Sequence, residues 1–264
     1  MNTDDRYRNG NDHMSAALIT GAADRIGAAI ATRLAAEGYA VVIHYRSSGE
    51  KAERLADAIG ADGGRAAIVR ADLARREDRM GLISAAAEFF GPLSLLVNNA
   101  SVFEPDSADT LHEDLWDLHM AVHAEAPVFL ARDFAAQLGE GVQGNIVNII
   151  DERVLSLSPD YFSYTLSKSL LWTATRTLAQ SLAPRIRVNA LGPGPTLANS
   201  RQSEAEFKAS RQRLPLQTGA DPDEIAEGVI AILNLPSMTG QMLALDGGEH
   251  LEWSDHNAPT PRQQ

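Results

Sequence analysis

The sequence predicts an α/β protein: a mostly parallel seven-stranded sheet with helices on both faces. Three observations carry this. Short apolar runs alternate with longer amphipathic stretches from Ala16 to Asp246, the pattern of parallel strands joined by crossover helices. A turn bearing Gly21 and Gly27 follows the first run and opens the first helix. The residues able to do chemistry fall just after apolar runs, and such sheets bind ligands beyond the carboxyl ends of their strands.

Residues 16–19 (Ala-Ala-Leu-Ile) read as a buried strand, 20–27 as the glycine turn and 28–38 as an alanine-rich helix. The second strand is 40–45 and its helix 50–59; the third strand is 66–69 and its helix 76–90. Residues 93–97 form a fourth strand running into Asn98, Asn99 and Ala100. A long helix spans 111–138, interrupted by Pro127, before a fifth strand at 145–150. The next helix, 161–183, places Leu171, Ala174, Leu178 and Leu182 on one face and ends at Pro184. A sixth strand at 186–190 leads into 191–216, irregular or locally helical and expected to be a mobile flap, of which 197–216 is expected to shape specificity. A helix from the Asp221 cap through 233 and a strand at 241–246 complete the pattern. Residues 15–253 are expected to form a single domain between a disordered polar tail at 1–14 and a loose tail at 254–264.

Bulk composition narrows the function. The formal net charge of -12 argues against nucleic acid or an anionic membrane as partner. The absence of cysteine removes disulfides, thiolate metal sites and thiol nucleophiles. It fits a cytoplasmic setting, and no metal site is expected. No apolar run reaches the ~20 residues of a membrane-spanning helix.

Tyr164 and Lys168 lie four apart on one helix, hence on one face. An ammonium close to a phenol lowers its pKa from ~10. The pair is then able to trade a proton with a carbonyl, alcohol or imine. The second strand ends in Arg46-Ser47-Ser48, where a dinucleotide fold selective for NAD usually carries a carboxylate for the ribose. One cation and two hydroxyls suit a 2′-phosphate instead, with Arg25 nearby in the first turn, so NADP(H) is the expected cofactor.

Thr20-Gly21 through Gly27, Asn98-Asn99-Ala100, Tyr164 with Lys168, and Pro193-Gly194, in that order, resemble the short-chain dehydrogenase/reductase family over residues 16–248. The resemblance implies a Rossmann-type, doubly wound fold, a catalytic Tyr164 assisted by Lys168, and a homotetramer. It places the cofactor against Gly21, Arg25, Ile26, Gly27, His44, Tyr45, Arg46, Ser47, Asp72, Leu73, Asn99, Ala100, Ser101, Tyr164, Lys168, Pro193 and Gly194. Within the family the chain looks like the pteridine reductase and dihydromonapterin reductase branch. Arg25-Ile26-Gly27 closes the first turn, and His44-Tyr45 precedes Arg46-Ser47. Phe103 follows the cofactor loop as an expected stacking face for substrate. Asp151 stands where most of the family has Ser, and is expected to act in catalysis and substrate binding with Tyr164. One departure is His123, at a position where the family usually has Asn; it either relays protons or is structural. Three activities remain open at this point: reduction of a pterin-like substrate, reduction of a carbonyl or 3-oxoacyl group, and non-catalytic cofactor sensing.

Overall fold

The computed structural model describes residues 15–198 and 201–251. The expected tails at 1–14 and 254–264 lie outside the described residues. Seven parallel strands form one sheet: β1 (Ala16–Ile19), β2 (Ala40–Tyr45), β3 (Arg65–Arg70), β4 (Leu93–Asn98), β5 (Gly144–Ile149), β6 (Ile186–Pro193) and β7 (Met242–Leu245). Their order is β3-β2-β1-β4-β5-β6-β7. The chain winds outward from β1 to β3, then returns to build the other half from β4. The reversal between β1 and β4 opens a crevice at the carboxyl ends of those strands.

Side-chain alternation divides the core into two layers. Ala17 and Ile19 of β1 face one way, toward α1 (Arg25–Ala36), α2 (Gly49–Ala61) and α9 (Pro222–Leu233). Ala16 and Leu18 face the other way, toward α4 (Leu82–Phe90), α6 (Ala126–Gln137) and α7 (Phe162–Leu182). Strands buried on both faces need continuous apolar runs, which is why β1 and β2 carry no exposed position before Tyr45.

Three helices depart from the sequence expectation. α1 starts at Arg25 rather than at 28, because the Asp24 side chain caps the Arg25 N–H. The stretch 76–90 is two helices, α3 (Arg76–Arg79) and α4, because Gly81 is extended at φ 174° and breaks the ladder. The long helix at 111–138 is α5 (Glu113–Met120), a π-helical turn (Ala121–Glu125) and α6. Pro127 has no N–H for the fourth carbonyl before it, and the widened turn absorbs that loss without ending the helix. The stretch 197–216 contains a regular helix, α8 (Glu204–Gln212), started by a reciprocal capping box between Ser203 and Glu206.

Candidate active site

The first turn is held by its own backbone. Gly21 adopts φ +62°, and a Cβ there would meet the Ala100 Cα at 2.8 Å. A Cβ on Gly27 would meet the Gly21 carbonyl at 2.5 Å and the Asn99 amide at 2.6 Å. Nothing larger than glycine fits at either position without moving the backbone around it. Thr20 is buried at the end of β1, and its hydroxyl accepts the N–H groups of Asn99 and Ala100 at 2.9 and 3.0 Å. The Asn99 side chain donates to the carbonyls of Thr20 and Gly21 at 2.9 and 3.0 Å.

His44 is buried beneath the turn. Its Nδ1 accepts the Gly21 N–H at 3.0 Å, so its Nε2–H donates to the Ala71 carbonyl at 3.1 Å. Burial lowers its pKa to about 4 and keeps it neutral. His44 and Asn99, expected to touch cofactor, also shape the turn: both His44 ring nitrogens and the Asn99 amide nitrogen bond to main chain. Arg25 departs further from expectation. Its guanidinium donates to the Ala198 and Leu197 carbonyls at 3.1 and 3.4 Å. It ties the first turn to the chain after β6 and is not among the side chains lining the cleft. Ile26 packs into the core and Gly27 is buried in α1.

The cleft, of about 240 Å3, lies beyond β1, β2 and β4. Gly21, Tyr45, Arg46, Ser47, Asp72, Leu73, Ala100 and Ser101 line it, as expected, together with Ser48 and the edge of His44. Ala23, Asp24, Val102 and Val122 also line it and were not foreseen. The exposed Arg46 stands at its rim, its carbonyl accepting from Arg70 Nε at 3.2 Å. Pro193 ends β6 and Gly194 follows it, neither among the residues lining the cleft. A Cβ on Gly194 would meet the Asp246 Cα at 2.7 Å, so this glycine serves close packing against the end of β7.

The second half of the site is made of side chains. Asp151 follows β5 and caps a short 3-10 turn, accepting the Arg153 N–H at 3.1 Å. Tyr164 and Lys168 rise from the first turns of α7, both buried. The Tyr164 hydroxyl donates to Asp151 Oδ2 at 2.6 Å, and Lys168 Nζ donates to the Ile149 carbonyl at 2.9 Å. Lys168 lies 5.6 Å from the centre of the Tyr164 ring.

These contacts reverse one expectation. The pKa of Tyr164 is not lowered but raised well above the usual value, by burial first and then by the charge and hydrogen bond of Asp151. Burial lowers Lys168 to about 8, opposed by Asp151. A phenol bonded to a carboxylate stays protonated, so Tyr164 stands ready as a proton donor.

Phe103 sits beside this pair, but not as a free platform. Its ring stacks on Tyr161 at 4.2 Å and 8°, and meets Tyr164 edge-on at 4.8 Å. Tyr161 holds the left-handed conformation, φ +57°, uncommon for a bulky residue and a frequent mark of a functional site. Arg153 lies over Tyr161 at 5.3 Å and over Phe103 at 6.0 Å. Arg201 fastens the same loop, donating to the Phe103 carbonyl at 2.6 Å and pairing with Glu104 at 2.8 Å. Tyr161 and Arg153 were missed. Tyr161 carried one usable signal: an aromatic three residues before Tyr164, at the mouth of the same helix.

Among the described residues no His, Cys, Asp or Glu grouping could hold a metal ion, and no helix is long and apolar enough to cross a membrane.

Residues 21–250 match a family profile described as enoyl-(acyl carrier protein) reductase. The fold superposes on the FolM alternative dihydrofolate reductase 1 of Brucella suis, solved in complex with NADP, with a TM-score of 0.88 and 50% identity. That match covers 91% of this chain and 96% of the other. The corresponding protein of Brucella canis, also complexed with NADP, gives a TM-score of 0.89 at 48% identity, covering 93% and 97% of the two chains. A putative ketoacyl reductase of the granaticin polyketide synthase of Streptomyces violaceoruber is 34% identical over 246 residues, 89% of this chain and 96% of that protein.

Proposed function

The chain belongs to the short-chain dehydrogenase/reductase family of oxidoreductases, and from that premise we propose that it is an NADPH-dependent reductase of a pterin-like substrate such as a dihydropterin. The observation that carries the substrate class is the 2.6 Å bond from Tyr164 to Asp151 beside the Phe103–Tyr161 stack. A carboxylate accepts hydrogen bonds and donates none while ionised. It suits the amino-substituted edge of a pterin and does little for a ketone. The aromatic stack suits a flat heterocycle. The two Brucella proteins, named as alternative dihydrofolate reductases, support the same reading.

The residues present fit NADP(H). Gly21, Ala23 and Asp24 of the glycine turn line the cleft at the start of α1, where a helix N-terminus favours a pyrophosphate. Arg46, Ser47 and Ser48 offer one guanidinium and two hydroxyls to a 2′-phosphate. Bound NADPH supplies the hydride. Tyr164 gives its proton to the ring nitrogen reduced with the acceptor carbon. Lys168 stabilises the phenolate left behind by its charge. Asp151, bonded to that oxygen and one-fifth exposed, orients the substrate edge and passes a proton back from solvent. These balance: one hydride and one proton leave, and one proton returns.

NADPH oxidation by the purified protein tests this over a dihydropterin, a dihydrofolate, an aliphatic ketone and a 3-oxoacyl thioester. Turnover of the pterins is expected. Turnover of only the ketone or thioester would overturn the substrate class and favour carbonyl reduction, the activity named for the Streptomyces relative. No oxidation with any of them would favour cofactor sensing.

The assembly is a homotetramer on this reading. Leu166 and Leu170 stand one turn apart on α7, 39% and 45% exposed, and Phe129 on α6 is 41% exposed. Apolar helix faces of this kind bury readily against a symmetric copy. Light scattering at micromolar concentration should give four chains per particle; a monomer would refute it.

A further inference from the structure

Behind Tyr164 stand buried polar groups that the proposed chemistry does not use. His119, near the end of α5, and His123, in the π-helical turn, are 0% and 1% exposed. Their rings stack at 5.5 Å and 18°. Each reaches a serine of α7: His119 Nδ1 lies 2.7 Å from Ser163 Oγ, and His123 Nδ1 lies 2.8 Å from Ser167 Oγ. Ser163 directly precedes Tyr164, and Ser167 directly precedes Lys168.

The donors fix the direction of every bond. The Val102 N–H donates to His123 Nε2 at 3.0 Å, so that nitrogen carries no proton. His123 Nδ1–H therefore donates to Ser167, whose hydroxyl donates onward to the Tyr164 carbonyl at 2.7 Å. The Ser101 hydroxyl also reaches His123 Nε2, at 3.1 Å. On the other rung the Ser163 hydroxyl donates to the buried Asp106. Its oxygen is left to accept from His119 Nδ1–H.

We infer that His119 and His123 are positioning residues: a two-rung brace that sets the height of Tyr164 and Lys168 along α7, with His123 acting only as its neutral Nδ1–H tautomer. That ring is bonded at once to α7 through Ser167 and to the loop bearing Ser101 and Phe103 through Val102. A proton on Nε2 would set donor against donor and part the two. Burial holds His123 well below the ordinary histidine pKa, and the charges of Lys168 and His119 act in the same direction. Tyr164, 5.3 Å from the ring, is neutral by its bond to Asp151. The brace explains why a π-helical turn lies here: it leaves both rings facing α7 across a helix that Pro127 would otherwise break.

The test uses whichever panel substrate the wild type turns over fastest, so its outcome does not depend on the pterin reading. Ser167→Ala removes the His123 rung from the helix side while leaving the Val102 bond and strengthening helix propensity. Its kcat should fall on the order of tenfold, the cost of displacing a catalytic group by a fraction of an ångström. Its Kd for NADP+, measured by calorimetry, should stay within about threefold. His123→Leu should lower kcat at least as far. His123→Gln, whose amide can donate to Ser167 and accept from Val102, should recover most of the loss. The two lesions at one rung should be far from additive. Nitrogen-15 NMR of the histidine rings in the wild type should show His123 as the Nδ1–H tautomer, unchanged from about pH 8 to about pH 6, on both sides of the ordinary histidine pKa. Wild-type kcat in Ser167→Ala, a glutamine variant no better than leucine at equal melting temperature, or an Nε2–H tautomer at His123 would each overturn the inference.

Discussion

The two ends of the β1/β4 crevice are built from different materials. At the proposed cofactor end the shape is set by backbone: Gly21 at positive φ, Gly27 against a carbonyl, and side chains such as Thr20, His44 and Asn99 that bond almost wholly to main chain. At the proposed substrate end it is set by side chains bonded to side chains: Tyr164 to Asp151, the two histidines to two serines, Phe103 on Tyr161. Backbone sites tolerate only the residue types that fit, so they leave a signature in sequence. Side-chain networks are satisfied by many residue sets, and their partners are far apart in the chain.

The difference is broken most sharply at Tyr164. Tyr164→Phe removes the proton and keeps the ring, so kcat should fall on the order of 10²–10⁴-fold, the range of an acid-base contribution. NADPH affinity should hold, because the glycine turn is untouched. Near-wild-type turnover would remove Tyr164 from the chemistry.

The reciprocal lesion is Arg46→Ala. A charge-assisted contact contributes ~1.5–3 kcal/mol, so the Kd for NADPH should rise roughly ten- to a hundredfold. NADH affinity should barely move, since it lacks the phosphate. Calorimetry with both cofactors decides it. Equal weakening of both would mean that Arg46 holds the loop and not the 2′-phosphate.

The same contrast explains what was readable in the sequence. The five inner strands were legible because both faces of each are largely buried, which leaves apolar runs that little else produces; the half-buried edge strands β3 and β7 were legible from shorter apolar runs. The cofactor turn was legible because only glycine fits it. Tyr164 and Lys168 were legible as a pair on one helix face, but the sign of the Tyr164 shift was not. It depends on Asp151, thirteen positions away and brought to 2.6 Å only by the meeting of β5 and α7. Arg25 shows a related limit. Its place in the first turn suggested the phosphate, yet at φ +56° its side chain is carried to Ala198, which is 173 residues distant. Tyr161 was hidden because its backbone conformation, not its identity, sets it against Phe103.

A milder lesion separates substrate recognition from chemistry. Phe103→Ala removes one ring of the stack, and such pairs contribute ~0.5–1.5 kcal/mol. The KM for a dihydropterin should therefore rise about two- to tenfold, while that for a small ketone stays level. Equal changes for both would mean that the Phe103–Tyr161 stack supports the loop and does not meet the substrate.

A last contrast separates the two ends by pH. At the cofactor end, burial lowers His44 to about 4, below its ordinary 6.5. The unfolded chain binds that proton first, so this contribution to stability is present above about 6.5 and is lost as pH falls toward about 4. At the substrate end Glu152, buried beside Asp151, is raised from 4.5 to about 9, by burial first and then by the charges of Asp151 and Glu249. Here the folded chain binds the proton more tightly. Its contribution is present below about 4.5 and is lost as pH rises through about 9. Between about 4.5 and about 6.5 the two slopes oppose each other, so their joint signature is a loss of stability as pH rises from about 6.5 toward about 9. Glu152→Gln has no proton to release. Its melting temperature should decline less than that of the wild type between about pH 6 and about pH 9, a window inside the Glu152 range, and the two curves should run parallel only below about pH 4.5. Parallel curves for the two proteins across that window would show that Glu152 ionises in the folded chain much as it does in the unfolded one, and that the substrate end carries no such buried acid.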